Sequence, residues 1–262
     1  MTIRGAVLDV DGTLLRGDEP LPGVRTGLAA LRDAGATPLF FSNNPTKAPP
    51  AYRERLRTAG IDPGDGEVIT SGTTTVAYLR EHHSDDRLFV VGESGLRTQL
   101  SAADLELVAD PDAAEVVVAS IDREFTYDHL RDALWALSDD DVAFVGTDPD
   151  VVIPASERPV PGSGAVINAV AAVAEREPDA VLGKPSPTAR RIVRQRLDLP
   201  PEHCLVVGDR LDTDVALGER AGMTTALVLT GVTDESDLVD AEVSPDYVLD
   251  SLADVGDVLA DR

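Results

Sequence analysis

Residues 6–13 read AVLDVDGT, and this stretch decides the fold. The apolar residues Ala6, Val7 and Leu8 are typical of a buried β-strand, and they run directly into Asp9 and Asp11. Residues i and i+2 of a strand lie on the same face, so both carboxylates point the same way if the strand continues that far. Two like charges ~4 Å apart repel by about 4 kcal/mol at an effective dielectric of 20. The pair therefore favours a site that holds a cation, or a proton on one carboxyl group.

Apolar strand-like runs alternate with helix-like segments along most of the chain. Runs such as HCLVVGD, residues 203–209, are continuously apolar, as is typical of parallel strands covered on both faces. The alternation predicts a doubly wound α/β architecture with a parallel sheet. We predict strands at 3–9, 37–42, 67–70, 87–92, 115–121, 142–146, 203–208 and 224–229. We predict helices at 23–34, 48–59, 72–82, 126–137, 164–176, 187–196 and 212–221.

Polar residues stand at the carboxyl ends of four of these segments. In open parallel sheets, ligands bind at the carboxyl ends of the strands, so the four ends are expected to converge on one crevice. The four stretches are VLDVDG at 7–12, FFSNNP at 40–45, LGKPSP at 182–187 and VVGDRLDTD at 206–214. The second and third are separated by roughly 140 residues with an α/β pattern of their own, which is enough for an inserted domain.

Asp209 and Asp214 indicate a metal site. Helix capping by Asp212 or Thr213 explains part of this acidic stretch but leaves Asp209, directly after its strand, unexplained. Asp9 and Asp209 together supply hard oxygen ligands, the set that Mg²⁺ prefers. Zinc is disfavoured because no histidine or cysteine has a suitable spacing, and we interpret the four histidines as surface or structural residues.

Lys184 and Ser42 supply the complementary groups. Lysine is rare in this chain, and its only other copy is Lys47, which we interpret as peripheral. An ammonium at Lys184 would neutralise carboxylates and hold a phosphate oxygen. Ser42 and Asn43, with their main-chain N–H groups, offer neutral donors for further phosphoryl oxygens.

These motifs together resemble those of the haloacid dehalogenase-like superfamily of phosphohydrolases. The four motifs are DVDGT at 9–13, SNN at 42–44, GKP at 183–185 and GDRLDTD at 208–214, and the resemblance covers essentially the whole chain. It is similar to the NagD-like, 4-nitrophenylphosphatase and sugar-phosphatase branch, in which a large α/β cap lies between the second and third motifs. The resemblance therefore implies a Rossmann-like core at 1–74 and 183–262, with a smaller α/β cap at 75–182.

The resemblance also implies a role for each matched residue. Asp9 would be the nucleophile that forms an aspartyl-phosphate, and Asp11 the general acid and then the general base. Ser42 and Asn43 would bind the phosphoryl group, and Lys184 would stabilise the nucleophile and the transferring charge.

The same resemblance implies a Mg²⁺ site. Asp9, Asp209 and the main-chain carbonyl of Asp11 would bind the ion, and Asp214 would support it. One position departs from the family pattern: in GTDPD at 146–150, Asp148 stands where relatives often have asparagine. Because of that departure, the substrates of the relatives are not carried over to this chain.

Composition excludes several partners. The 23 basic and 47 acidic residues give a net charge of −24, which disfavours nucleic acid and anionic membranes as partners. No apolar run approaches the ~20 residues that cross a bilayer, and the first residues lack a signal-peptide pattern. The lone Cys204 excludes an internal disulfide. We therefore expect a cytoplasmic protein, with either a generic soluble surface or one adapted to a salty cytoplasm.

A Mg²⁺-dependent phosphatase acting on a small phosphomonoester is the leading hypothesis. A phosphotransferase or phosphomutase would use the same intermediate, and a catalytically silent phosphate-binding module would use the same residues. Dehalogenation is disfavoured because it needs no acid at Asp11, and a dinucleotide-binding protein because no Gly-x-Gly-x-x-Gly follows the first strand. By analogy with the family, association between copies of the chain would use the cap.

Overall fold

Two parallel β-sheets organise the chain. The computed structural model describes residues 2–64, 66–154 and 158–261. Its strands, numbered along the chain, are β1 (Gly5–Asp9), β2 (Leu15–Arg16), β3 (Glu19–Pro20), β4 (Thr37–Ser42), β5 (Glu67–Thr70), β6 (Arg87–Val91), β7 (Glu106–Val108), β8 (Val116–Ala119), β9 (Ala143–Gly146), β10 (Val152–Ile153), β11 (Val160–Pro161), β12 (Ala180–Val181), β13 (Cys204–Gly208), β14 (Thr224–Val228) and β15 (Tyr247–Leu249). Its α-helices are α1 (Val24–Asp33), α2 (Pro49–Thr58), α3 (Ser71–His82), α4 (Ser94–Ser101), α5 (Tyr127–Ala136), α6 (Ser163–Ala174), α7 (Pro187–Leu197), α8 (Ala216–Ala221) and α9 (Val255–Ala260).

The first sheet has six parallel strands in the order β15-β14-β13-β1-β4-β5. Every residue of β1 is buried, and successive residues face opposite sides. Ala6 and Leu8 pack into a core with α1 and α9, whereas Val7 packs into a second core with α7 and α8. Both faces of the strand are covered, which explains its continuous apolar pattern and confirms the predicted doubly wound architecture.

The second sheet has five parallel strands in the order β12-β9-β8-β6-β7. All of its strands lie between Arg87 and Val181, inside the segment predicted to be inserted. The predicted boundary between residues 74 and 75 falls within α3. In that helix Ala77 packs against the core with α7 and α8, and Leu79 lies in a core of the second sheet. The domain limits 1–74, 75–182 and 183–262 stay a prediction.

All predicted strands and helices are present, with ends that shift by a few residues. The largest shift is at the predicted helix 212–221, where a π-helical turn at Leu211–Val215 precedes α8. The prediction missed α4, α9, the two hairpins β2–β3 and β10–β11, and three further strands. Those three strands, β7, β12 and β15, all lie at sheet edges. Each has two or three residues and at most one that is fully buried, so it leaves little hydrophobic pattern in the sequence.

The carboxyl ends of three adjacent strands define the crevice. In the first sheet β1 lies between β13 and β4, so the chain leaves β1 on one side and returns on the other. Such a switch point is where open α/β sheets bind ligands. The hairpin β2–β3 follows β1 directly, at Leu15–Pro20. No helix of the described residues is both long enough and apolar enough to cross a membrane.

Candidate active site

The carboxylate of Asp9, at the end of β1, is buried beside the ammonium of Lys184. Lys184 Nζ donates a hydrogen bond to Asp9 Oδ1 at 2.5 Å and another to Asp214 Oδ1 at 2.6 Å. A third bond, 3.0 Å long, runs to the main-chain oxygen of Phe41 in β4. Lys184 is only 2% exposed, so its contacts are made away from bulk water. The fold thus brings together three of the predicted site residues from distant parts of the chain.

Three carboxylates cluster at this point. One oxygen from each of Asp9, Asp209 and Asp214 lies within 4.8 Å of the others. Asp9 Oδ2 is buried and has no hydrogen-bond partner among the described residues. A buried acceptor without a donor is costly unless a ligand satisfies it. Oxygen ligands with an unsatisfied acceptor are the chemistry of a hard divalent cation, so these residues fit the predicted metal.

Main-chain donors hold the other two carboxylates. Asp209 directly follows β13, and its Oδ2 accepts from the N–H of Val232 at 2.7 Å. Asp214 lies in the π-helical turn, and its Oδ2 accepts from the N–H of Arg210 at 3.2 Å. Gly12 allows this packing: its φ is +101°, and a Cβ there would lie 2.3 Å from Asp209 Oδ2. Any larger residue at position 12 would displace the carboxylate.

Burial and mutual repulsion set the ionisation of the cluster. Burial raises the pKa of Asp9 well above its usual range, Asp214 and Asp209 raise it further, and Lys184 opposes them. Burial, with Asp214, raises the pKa of Asp209 to about 7. Burial alone would lower the pKa of Lys184, but Asp214 and Asp9 raise it above its ordinary value. Burial and repulsion therefore disfavour the ionised form of Asp9 and Asp209, which a bound cation would favour.

The carboxylate of Asp11 contacts different residues from those that contact Asp9. β1 ends at Asp9, and Asp11 is instead bridged to Leu15 next to the hairpin. Asp11 Oδ1 accepts from Nη2 of Arg55 at 2.7 Å, and Asp11 Oδ2 accepts from Ser42 Oγ at 3.1 Å. The strand does not continue as far as Asp11, so the two carboxylates have different neighbours.

Ser42 is the last residue of β4, Asn43 follows it, and both lie beside these groups. The Ser42 hydroxyl is also 2.9 Å from the hydroxyl of the buried Tyr52. Asn43 Oδ1 accepts from the main-chain N–H of Lys184 at 2.7 Å, and its Nδ2 donates to the Lys184 carbonyl and to Asp150 Oδ1, both at 3.3 Å. Asn43 thus joins the loop that carries Lys184 to Asp150, which lies in the segment between β9 and β10.

A cavity of about 630 Å³ opens over the cluster. Its lining includes all the predicted site residues except Asp214, together with residues from 93–163. That second group combines the carboxylates of Glu93, Asp148 and Asp150 with the guanidinium of Arg123 and the apolar side chain of Ile121. Arg123 is paired with Glu93 at 2.5 Å. The space is large enough for a small organic molecule above the carboxylates.

Comparisons with known proteins decide the family. Profiles of the haloacid dehalogenase-like hydrolases match residues 6–106 and 181–255. The sugar-phosphatase AraL of Bacillus subtilis is 31% identical over 251 residues, which are 96% of this chain and 91% of that protein. The chain belongs to the haloacid dehalogenase-like hydrolases.

Solved structures agree with this assignment. The 4-nitrophenylphosphatase of Thermotoga maritima superposes with a TM-score of 0.89 at 34% identity, over 98% of this hydrolase and 97% of that chain. The glycerol phosphate phosphatase of Mycobacterium tuberculosis, in complex with magnesium, superposes with a TM-score of 0.85 at 28% identity, over 96% of this hydrolase and 75% of that chain. The predicted NagD-like branch is confirmed, and the hydrolase is a phosphoric monoester hydrolase.

Asp148, the departure from the family pattern, is buried in the wall of the cavity. Asp148 Oδ2 accepts from the Thr147 hydroxyl at 3.1 Å, and Oδ1 accepts from the main-chain N–H of Asp150 at 3.3 Å. Burial, with Asp150, raises the pKa of Asp148 well above its usual range. A cavity wall with two neighbouring carboxyl groups suits hydroxyl groups or a cation better than a second anion.

Several residues that contact the site were not predicted from the sequence. Arg55 and Tyr52 lie three residues apart on one face of α2, directly after the SNN motif, and that spacing was the available signal. Asp150 and Arg210 left no such signal. Arg210 Nη2 donates to the main-chain oxygen of Val152 at 2.5 Å, a contact that only the folded chain reveals. Lys47, interpreted as peripheral, is exposed and lines the cavity.

Proposed function

We propose that this hydrolase is a Mg²⁺-dependent phosphatase that cleaves small phosphomonoesters through an aspartyl-phosphate on Asp9. The observation that carries the proposal is how the two oxygens of the Asp9 carboxylate are held. Lys184 holds one of its oxygens, whereas the other is buried without a donor beside a cavity. A carboxylate that an ammonium holds in place beside a cavity is oriented for nucleophilic attack on a group bound in that cavity.

The first step transfers the phosphoryl group to Asp9. An Asp9 oxygen forms a bond to phosphorus, the bond from phosphorus to the leaving oxygen breaks, and protonated Asp11 gives its proton to that oxygen. In the second step Asp11 takes a proton from water as the water oxygen attacks phosphorus. The bond from phosphorus to Asp9 then breaks, which releases phosphate and restores the carboxylate.

The remaining residues stabilise charge. Ser42 and Asn43 lie beside Asp11 and Lys184 and would donate to the phosphoryl oxygens. Lys184 holds the Asp9 oxygen in place and offsets the negative charge of the cluster. Asp9, Asp209 and Asp214, with the main-chain carbonyl of Asp11, would hold Mg²⁺. When bound, the ion supplies positive charge to the phosphoryl oxygens and to the carboxylates.

The substrate class follows from the cavity and from the relatives. Sugar phosphates, glycerol phosphate, phosphoglycolate and nitrophenyl phosphate all fit a cavity of about 630 Å³. The relatives are named for sugar, nitrophenyl and glycerol phosphates. The two carboxyl groups in the wall favour the polyhydroxylated leaving groups among these candidates, because hydroxyl groups donate to such acceptors.

A phosphate-release screen over these compounds tests the proposal. The purified hydrolase is assayed with Mg²⁺ and with excess chelator, at low and at molar KCl, beside Asp9→Asn. We expect release that requires Mg²⁺ and is abolished in Asp9→Asn, while circular dichroism shows the same fold for both proteins. Activity that survives the substitution would remove Asp9 as nucleophile. Binding of these compounds without turnover in Mg²⁺ would indicate the phosphate-binding module instead.

A further inference from the structure

Asp11 must point in a fixed direction to serve both steps, yet its position in the chain provides little support. It lies beyond the end of β1, next to Gly12, and its side chain is 32% exposed. A carboxylate in such a loop samples several rotamers unless other side chains hold it. Proton transfer depends on distance and alignment, so the groups that hold Asp11 affect the chemistry directly.

Arg55 holds one oxygen of Asp11. Arg55 extends from α2, its side chain is 12% exposed, and its Nη2 lies 2.7 Å from Asp11 Oδ1. The same guanidinium donates to the main-chain oxygen of Gly17 and, through Nε, to Asp18 Oδ1 at 3.1 Å. Gly17 and Asp18 form the turn of the β2–β3 hairpin and line the cavity. Arg55 therefore ties the acid, the hairpin and α2 into one unit.

Two hydroxyl groups hold the other oxygen. Asp11 Oδ2 accepts from Ser42 Oγ at 3.1 Å and lies 3.4 Å from the hydroxyl of Tyr52. Tyr52 is fully buried, and the guanidinium carbon of Arg55 lies 5.5 Å from the centre of its ring. Side chains thus hold both Asp11 oxygens, Arg55 at Oδ1 and the two hydroxyl groups at Oδ2.

We infer that Arg55 is a positioning residue for the reaction, which aligns the Asp11 carboxyl group for proton transfer to the leaving oxygen. The inference rests on the proposed role of Asp11 as general acid. A solely structural Arg55 would tie α2 to the hairpin without affecting how the reaction responds to the leaving group.

Leaving-group dependence separates these two roles. Phenyl phosphate and 4-nitrophenyl phosphate have similar shapes, but phenolate is the poorer leaving group and needs the proton more. We expect Arg55→Gln to lower kcat/KM for phenyl phosphate by about 10- to 100-fold and for 4-nitrophenyl phosphate by less than about threefold, since general acids typically contribute 10²–10⁴. Because kcat/KM reports on steps up to the transfer to Asp9, slow dephosphorylation does not obscure the comparison.

Three further variants complete the experiment. Arg55→Lys keeps a cation and should recover part of the loss on phenyl phosphate. Arg57→Gln removes an exposed arginine of the same helix, whose one ion pair within residues 2–64, 66–154 and 158–261 is with Glu54 at 3.8 Å. It should leave both rates unchanged. Asp11→Asn should lower kcat/KM selectively for phenyl phosphate, as Arg55→Gln does, and by a larger factor. Thermal denaturation of each variant reports whether the fold is retained.

The outcomes distinguish the inference from the proposed function. Equal losses on both substrates in Arg55→Gln, or no loss, would overturn the inference while Asp11→Asn remains selective. A non-selective Asp11→Asn would overturn the acid role of Asp11 and the inference with it. Failure of the unmodified hydrolase to release phosphate from either substrate would overturn both.

Discussion

Replacing Lys184 with methionine removes the buried cation from the carboxylate cluster. Methionine keeps most of the aliphatic length of lysine, so the packing changes little. Three hydrogen bonds are lost, to Asp9 at 2.5 Å, to Asp214 at 2.6 Å and to the main-chain oxygen of Phe41 at 3.0 Å. Asp9, Asp209 and Asp214 then face one another without the ammonium. Removing one partner of a buried ion pair costs about 3–5 kcal/mol, a large fraction of the roughly 5–15 kcal/mol by which proteins are stable.

A divalent cation should offset much of that loss. Without the ammonium, the cluster carries one more net negative charge, so it attracts Mg²⁺ more strongly. A ligand that binds only the folded state, and is present at a concentration of a hundred times its dissociation constant, adds about 2.7 kcal/mol of stability. We therefore expect Mg²⁺ to stabilise Lys184→Met more than it stabilises the unmodified chain, although phosphatase activity is lost in the variant.

Urea denaturation with chelator and with Mg²⁺ measures both effects. The control is Lys47→Met, which removes the chain's other lysine from an exposed position where the described residues offer it no ion pair. We expect a loss of about 3–5 kcal/mol for Lys184→Met in chelator and less than about 0.5 kcal/mol for the control. A loss under about 1 kcal/mol for Lys184→Met, or no extra stabilisation by Mg²⁺, would refute the electrostatic reasoning.

Three further predictions concern ionisation and charge. The pKa of Asp209 is raised to about 7, so its contribution to the stability of the metal-free protein is present at low pH and lost as the pH rises through 7. Mg²⁺ binds the ionised carboxylate, so the affinity of the protein for Mg²⁺ should fall below pH 7. Calorimetric titrations on either side of pH 7 measure this, and an unchanged affinity would contradict it. In Asp148→Asn the ionisable group with the raised pKa is gone, so stability should fall less steeply with rising pH than in the unmodified chain; parallel curves from urea denaturation would contradict this. A net charge of −24 repels itself, so the free energy of unfolding should rise with KCl, and a fold equally stable in low and molar KCl would refute adaptation to a salty cytoplasm.

The central strands could be predicted because burial on both faces leaves continuous apolar runs. β1 and β13 are fully buried, and polar residues follow each of them abruptly. A predicted parallel sheet places such ends at one edge, so Asp9 and Asp209 could be assigned to one site before any distance was known. Lys184 instead follows β12 of the second sheet, so the sheet edge does not account for its place in the site. The edge strands and α4 could not be predicted, since α4 buries only Leu96 and Leu100 and contains a glycine.

The contacts of Asp11 could not be predicted from spacing. The i, i+2 pattern holds only while the strand continues, and β1 ends at Asp9. Arg55, which holds Asp11, comes from a helix 44 residues away, and the distance between them depends on how α2 packs beside β4 and β5. The sequence places the reacting groups at one edge of the sheet, whereas the direction of each side chain depends on tertiary contacts.

Acid-quenched trapping of the phosphorylated protein tests the role of Asp9 most directly. The hydrolase is mixed with 4-nitrophenyl phosphate and Mg²⁺, quenched within the first turnover, digested, and its peptides analysed by mass spectrometry. We predict a phosphoryl group on the peptide that contains Asp9, labile in base, and none in Asp9→Asn. A phosphoryl group on another residue, or release of phosphate by Asp9→Asn at the rate of the unmodified chain, would contradict the proposed mechanism.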